Sequence, residues 1–141
     1  MAEIQTITSW RKATAGVWVG RVMSGLVVVF LLFASAAPKL LMPQVSGPPM
    51  AQLGWPAKYT LLLACIEIIG AVLYAIPRTA VFGAILLTGL LGGAIAANLR
   101  IDNPLFSHTL FALYVGVFMW GGLWLRDPSV RALIPLRSVA R

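Results

Sequence analysis

The sequence predicts an all-α integral membrane protein, a bundle of four transmembrane helices with both termini in the cytoplasm. The 141 residues are 60% hydrophobic and 11% charged, and the mean hydropathy of +0.89 lies far above that of soluble domains. Four apolar stretches meet the length of roughly 20 residues that a helix needs to cross a bilayer. Basic residues gather near the helix ends that would share one side of the membrane.

The apolar stretches define the predicted elements and domains. The expected helices are residues 17–41, 59–76, 79–98 and 105–125. Together they form one transmembrane domain at residues 17–125, after a cytoplasmic N-terminal segment at residues 1–16. Residues 126–141 are expected to form a short interfacial or mobile cytoplasmic tail. Too few residues remain for a second domain.

The first stretch can also be compared with a signal peptide. Arg11 and Lys12 precede it, and residues 34–36 (ASA) imitate a small-residue cleavage site. However, the charged lead-in is long, and the apolar pattern continues past the supposed cut through Leu40 and Leu41. We therefore expect an uncleaved first helix.

The basic residues predict the orientation. Eight of the 11 fall on the side of the termini and the second loop, and the other three fall on the opposite side. The eight are Arg11, Lys12, Arg21, Arg78, Arg126, Arg131, Arg137 and Arg141, and the three are Lys39, Lys58 and Arg100. Because cytoplasmic loops are enriched in Lys and Arg, we expect cytoplasmic termini in a bacterial-type inner membrane. The net charge of +7 then reflects contact with anionic headgroups, and no nucleic-acid partner is expected.

The loops predict neighbours and a place for a site. The second loop, residues 77–78, is a tight turn that makes the second and third helices antiparallel neighbours. The first loop, residues 42–58, is rich in Pro and Gly and contains Met50, Leu53 and Trp55. Such a loop either lies across the mouth of the bundle as a cap or remains a plain surface loop.

Small and aromatic residues suggest packing roles. Two small-residue rows run along the third helix and predict close helix packing, with a self-association face as the alternative. These rows are Gly89, Gly93 and Ala97, and Thr88, Gly92 and Ala96. Tyr74, Trp120 and Trp124 are expected to be interfacial anchors. Cys65, the single cysteine, is expected to be buried and inert.

Glu67 is the leading candidate for a functional residue. It lies halfway along the second helix, where a carboxyl group costs several kcal/mol unless it finds a partner, a cavity or a proton. Glu67, Gly70 and Tyr74 share a helix face that should point inward. Lys39, near the outer end of the first helix, can reach Glu67 directly or through water. We expect a polar funnel that opens outward, with Glu67 and Lys39 as its catalytic pair.

Three further residues near the outward helix ends are predicted to bind substrate: Asn98, Arg100 and His108. Each also has a structural interpretation. Arg100, like Lys39, can extend to lipid headgroups, and Asn98 can cap its helix end. His108 near a helix start is more often a surface or packing residue. One cysteine and one histidine cannot supply a thiolate cluster or a bis-His haem, so neither a metal site nor a covalently bound cofactor is expected.

Four short pieces of the chain together resemble the DoxX-like family of small membrane proteins. The pieces are residues 37–40 (APKL), 66–71 (IEIIGA), 76–78 (IPR) and 94–100 (AIAANLR). The resembling stretch runs from about residue 21 to residue 125, and family members often have histidine where Asn98 stands. The resemblance implies association with membrane redox chemistry, since some relatives are described as quinone-linked subunits in sulfur-compound oxidation and others as partners of oxidoreductases.

Two functional hypotheses of different classes stay open. In the first, a quinone or small anionic substrate enters the funnel, Lys39 and Arg100 attract it, and Glu67 exchanges protons with it. This hypothesis needs a redox partner subunit. In the second, the chain is a non-catalytic scaffold or assembly subunit of a larger membrane complex, with or without self-association. A small proton-coupled transporter is a weaker third hypothesis, because no inverted repeat is evident.

Overall fold

All of the regular structure in residues 2–134, the part of the chain that the computed structural model describes, is helical. The α-helices are α1 (Ala2–Val29), α2 (Ala37–Leu41), α3 (Pro43–Gln52), α4 (Thr60–Ala75), α5 (Ala80–Arg100), α6 (Phe111–Arg126) and α7 (Pro128–Leu133). Two π-helices, Phe30–Ala36 and Leu105–Thr109, and one 3₁₀-helix, Ala57–Tyr59, connect them. Residues 135–141 of the predicted C-terminal tail, which include Arg137 and Arg141, lie outside the described residues.

Four stretches of helix are long and apolar enough to cross a membrane. We name them in chain order the first to the fourth span: Ala15–Leu41, Ala57–Ala75, Ala80–Arg100 and Leu105–Arg126. No strand occurs in the described residues. The predicted fold class, an all-α protein with four membrane-spanning helices, is therefore confirmed.

The spans form a ring in which each contacts its neighbours in the chain and the fourth closes against the first. The closest pairs are the first with the fourth and the second with the third. We call the end that carries α3 the cap end, and the end that carries the turn at residues 76–79 the turn end. A core of fully buried side chains fills the middle, including Leu31, Leu87 and Met119.

Glycines permit the closest approaches, but not the glycines that the sequence suggested. A Cβ at Gly83 would lie 2.7 Å from Tyr74 Cα and 2.8 Å from the Gly70 carbonyl oxygen, so only glycine fits where the second and third spans cross. A Cβ at Gly89, Gly92 or Gly93 would have nothing within 4 Å. The prediction that these three serve close packing is wrong. The two spans touch next to their short turn, and the glycine row begins further along the third span.

Tyr74 and Cys65 also differ from expectation. Tyr74 is completely buried, and its hydroxyl lies 2.8 Å from Ser24 Oγ and donates to the Met119 carbonyl oxygen at 2.7 Å. Arg126 donates to the Tyr74 carbonyl oxygen at 2.8 Å. The interpretation of Tyr74 as an interfacial anchor is therefore wrong, because it lies on the inward face of its helix. Cys65 is exposed rather than buried, since two residues of helix place it about 160° around the helix axis from the inward-facing Glu67.

Candidate functional site

Lys39 and Glu67 form an ion pair between the first and second spans. Lys39 Nζ lies 2.7 Å from Glu67 Oε2, across 28 residues of sequence. The same nitrogen donates a hydrogen bond to Ser35 Oγ at 2.8 Å. Glu67 is only 2% exposed, whereas the Lys39 side chain is 20% exposed. The two residues predicted as a catalytic pair are thus in direct contact.

Local sequence explains how each partner is positioned. On the second span, Ala64, Glu67, Gly70, Ala71 and Tyr74 are all buried, so the inward face of α4 carries the carboxylate into the bundle.

On the first span, Pro38 lacks a backbone N–H and its ring disfavours the regular α-helical turn before it. The π-helix Phe30–Ala36 ends two residues before this proline, and the Ala37 N–H donates to the Leu32 carbonyl oxygen, five residues back. π-Helical turns are rare and are frequent at functional sites. Here the π-helix carries Ser35 and leads directly to Lys39.

The ion pair leaves hydrogen-bonding capacity unused. A lysine ammonium has three donors, and in the described residues Lys39 uses two, to Ser35 and Glu67. Glu67 Oε2 accepts from Lys39, and no described residue donates to Oε1. The site therefore offers one free donor and one free acceptor at neighbouring positions.

A cavity of about 380 Å³ adjoins this pair. Ser35, Lys39 and Glu67 form its polar part, and most of the remaining wall is apolar. The apolar wall includes Phe30, Leu31, Leu63, Leu90, Phe111 and Val115. Phe30 and Phe111 pack edge to face with ring centroids 5.6 Å apart. An apolar chamber with a few convergent polar groups is the usual form of a small-molecule site.

The first loop covers the cavity, as the cap interpretation predicted. We define the cap as residues 43–56, which comprise α3 and the loop after it. Met50, Leu53 and Trp55 of the cap belong to the cavity wall, and Met50 is buried. Arg100, at the end of the third span, donates a hydrogen bond to the Leu53 carbonyl oxygen. A surface loop without such contacts would not close the chamber.

The glycine next to this contact is required by the backbone. Gly54 has φ +72°, a left-handed conformation that favours glycine. A Cβ there would also collide with the Arg100 guanidinium group. Gly54 therefore allows the cap to turn directly beneath Arg100.

Arg100 lines a second cavity of about 390 Å³ at the same end. Trp55, Gly93 and Ala97 belong to the walls of both cavities, so the two are adjacent. The structure thus places Arg100 beside the cavity that Lys39 and Glu67 line, with its guanidinium group hydrogen-bonded to the cap at Leu53. Its predicted role in substrate binding stays a prediction.

Asn98 and His108 are not brought to the ion pair. Asn98 Nδ2 donates to the Ala94 carbonyl oxygen at 2.9 Å, and its Oδ1 accepts from Asn103 Nδ2 at 2.6 Å. These contacts connect the end of the third span to the following loop. His108 is exposed, with Nδ1 2.8 Å from Ser107 Oγ. Neither residue lines the two cavities described above, and their roles in substrate binding stay predictions.

Ser35, Gly89 and Gly93 are site residues that were not predicted from the sequence. The i, i+4 spacing of Ser35 and Lys39 was a usable signal, because residues at this spacing share a helix face. Gly89 and Gly93 line the cavity of the ion pair. Two glycines at i, i+4 spacing can serve either a close helix contact or a cavity wall, so sequence alone could not distinguish the two roles.

We expect Arg100→Ala to loosen the cap. Because the Arg100 guanidinium group holds the Leu53 carbonyl oxygen, its loss should accelerate backbone hydrogen exchange in residues 43–56 by about tenfold, as expected for one lost hydrogen bond to a charged group. Hydrogen exchange followed by mass spectrometry would measure this. Arg78→Ala, at the turn end, is the control and should leave the cap unchanged. Equal exchange in the two variants would show that Arg100 does not hold the cap.

Comparison with known proteins relates the chain to a family. A family model described as the DoxX-like family matches residues 22–122, well over half of the chain. No curated protein and no solved structure gave a match.

Among the described residues, no group of three or more His, Cys, Asp and Glu side chains is placed to hold a metal ion.

Proposed function

The chain belongs to the DoxX-like family, and from this premise we propose that it is the quinone-binding subunit of a membrane redox system, with Lys39 and Glu67 at the quinone head. The observation that carries the proposal is the buried ion pair, whose free donor and free acceptor adjoin an apolar cavity. Without the neighbouring cavity, a buried ion pair could be explained by a structural role alone, namely holding two helices together.

The residues fit a quinone on chemical grounds. A quinone head is a flat, largely apolar ring with carbonyl oxygens that accept hydrogen bonds. Lys39 Nζ can donate its remaining hydrogen to one of these oxygens, and the aromatic and aliphatic wall can hold the ring. Glu67 Oε1 can accept a hydrogen bond from the hydroxyl group of the reduced form.

The proposed chemistry is proton exchange, with electrons supplied elsewhere. Reduction of a quinone to a quinol consumes two electrons and two protons. The electrons come from a partner oxidoreductase subunit. Lys39 stabilises the negative charge that develops on the carbonyl oxygen, because a positioned positive charge is effective in a water-poor site. During reduction, Lys39 and Glu67 pass to the quinone protons that reach them from the aqueous side of the cap. During oxidation of the quinol, the same two side chains accept its protons.

The same proposal includes a location and an orientation. Four spans of this length imply a lipid bilayer as the surroundings. Arg21, Arg78 and Arg126 lie toward the turn end, whereas Lys39 and Arg100 lie toward the cap end. By the preference of basic residues for the cytoplasmic side, the turn end faces the cytoplasm of an inner membrane and the cap faces outward.

We expect Glu67→Gln to lower quinone-dependent turnover of the parent complex by about 100-fold or more, the contribution typical of a proton-transferring side chain. The amide keeps the size of the carboxyl group but cannot exchange protons at this step. The measurement is quinone reduction in membranes that contain the complex, with melting in detergent to confirm that the bundle is folded. Asp102→Asn is the matched control, because it makes the same chemical change outside the cavity, at a φ of 53° that asparagine tolerates. Full activity of Glu67→Gln would contradict the proposal.

A scaffold function is the second candidate, and the contacts of Tyr74 favour it. The Tyr74 hydroxyl joins Ser24 of the first span and Met119 of the fourth, and Arg126 donates to its backbone. Such ties keep helices in register whether or not a ligand binds. If this is the function, Glu67→Gln should change the melting temperature and the recovery of partner proteins, and turnover should persist.

A further inference from the structure

We infer that the site takes a quinone with a long apolar tail, and that the tail leaves the cavity sideways into the bilayer through a gap between the second and third spans. We call this gap the window. Its rim is formed by Leu63 on the second span, Gly89 and Gly93 on the third span, and Trp55 of the cap. The inference rests on the proposed function and adds the class of quinone and its path.

The rim glycines belong to the cavity and to the outer surface at once. Gly89 and Gly93 line the cavity, and both are exposed. Gly92 and Ala96, at adjacent positions of α5, are exposed as well, so this side of the helix points away from the bundle. An outward face in the middle of a membrane span contacts acyl chains. The cavity therefore borders lipid at Gly89, and at Gly93 it adjoins the second cavity at the same surface.

Packing explains why the gap is located here. At Gly83 the second and third spans touch backbone to backbone. Gly89 and Gly93 lie about two and three turns further toward the cap end, where a Cβ on either would meet no atom within 4 Å. Glycine at both positions leaves open the space that larger side chains would fill.

The window leads to a polar group with unused capacity. Glu67 is 98% buried, given its exposure of 2%, and its side chain lines the cavity. No described residue donates to Glu67 Oε1. An apolar passage that ends at an unpaired carboxylate oxygen matches a ligand with an apolar tail and a polar head, rather than an acyl chain alone.

Cavity size separates the head from the tail. About 380 Å³ lies near the lower end of the 300–1,000 Å³ typical of ligand pockets. That volume suits a substituted ring, and the long chain of a membrane quinone exceeds it. The quinone tail must therefore continue outside the cavity. The window offers an opening at membrane depth, because the third span contributes only glycines to its rim.

The test compares two probes with the full chain in lipid nanodiscs. One probe is ubiquinone with a long polyprenyl tail, and the other is the tail-less dimethoxy-methyl-benzoquinone. Quenching of tryptophan fluorescence reports binding, because Trp55 lines the cavity. Gly89→Leu places a side chain in the window, and Gly93→Leu is a second variant on the same rim. Gly92→Leu is the control, since Gly92 is equally open but does not line the cavity.

We expect Gly89→Leu to weaken binding of the tailed quinone by about tenfold or more, as overpacking of an occupied space does, and to leave the tail-less probe nearly unchanged. The Gly92→Leu protein should bind both probes like the original chain. Unchanged binding of the tailed quinone by both rim variants, or an equal loss of both probes, would overturn the window while the proposed function stands. Failure of the original chain to bind either probe would instead reject the proposed function, and the window with it.

Discussion

The Lys39→Met variant is expected to lose about 3–5 kcal/mol of stability, because it leaves the carboxylate of Glu67 buried without its partner. Methionine preserves much of the length and apolar character of the lysine side chain, so the loss reports the missing charge. The measurement is the free energy of unfolding in mixed detergent micelles, followed by circular dichroism.

Two further variants make this result specific. Lys39→Met combined with Glu67→Gln should recover most of the loss, since removal of both charges leaves no unpaired ion. Lys58→Met is the single-residue control: Lys58 is an exposed lysine at the same end, with its ammonium 5.0 Å from the centre of the Tyr59 ring. It should cost at most about 1 kcal/mol. Equal stability of the Lys39→Met and Lys58→Met proteins would show that the ion pair contributes little to the fold.

We expect Gly83→Ala to destabilise the bundle by about 3 kcal/mol, the upper part of the range for overpacked sites. The new methyl group would press on the backbone of Tyr74 and on the Gly70 carbonyl oxygen, and neither can move aside as a flexible side chain would. The second and third spans would have to separate. Unfolding in detergent micelles measures this effect as well.

Gly92→Ala provides the matched comparison on the same helix. A Cβ at Gly92 meets nothing within 4 Å, and alanine has the higher helix propensity. We therefore expect no loss, or a gain of about 0.5–1 kcal/mol. A loss at Gly83 without a loss at Gly92 would show that position, and not glycine content, determines helix packing in this protein. A similar effect at both sites would contradict the structural explanation.

The membrane fold was predictable because length and hydropathy suffice for it. A helix in lipid must satisfy its own backbone hydrogen bonds, so an apolar stretch of about 20 residues has few alternatives. The inward face of the second span was predictable for a similar reason, since Glu67 can hardly remain among acyl chains. Lys39 followed as its partner, because its side chain is long enough to reach Glu67 from the end of the neighbouring helix.

Other features depend on how the helices are arranged in three dimensions. The spacing of Gly89 and Gly93 is compatible with a tight contact, and only the divergence of two spans turns it into a cavity wall. Tyr74 has an amphipathic ring typical of the headgroup level, yet Ser24 and the Met119 carbonyl satisfy its hydroxyl inside the bundle. Partners 50 and 45 residues away along the chain leave no local sequence signal.

The π-helix before Pro38 sets the direction in which the end of the first span points. Each residue advances an α-helix by about 100°, whereas the wider π turn accommodates an additional residue per turn. Without that additional residue, every position after Ala36 would be rotated by about 100°, and the lysine would face a different neighbour. The angular phase set by this short π-helix thus decides whether the protein has an internal charge pair at all. A one-residue deletion within the π-helix would disturb that pair more than many substitutions in the wall of the cavity.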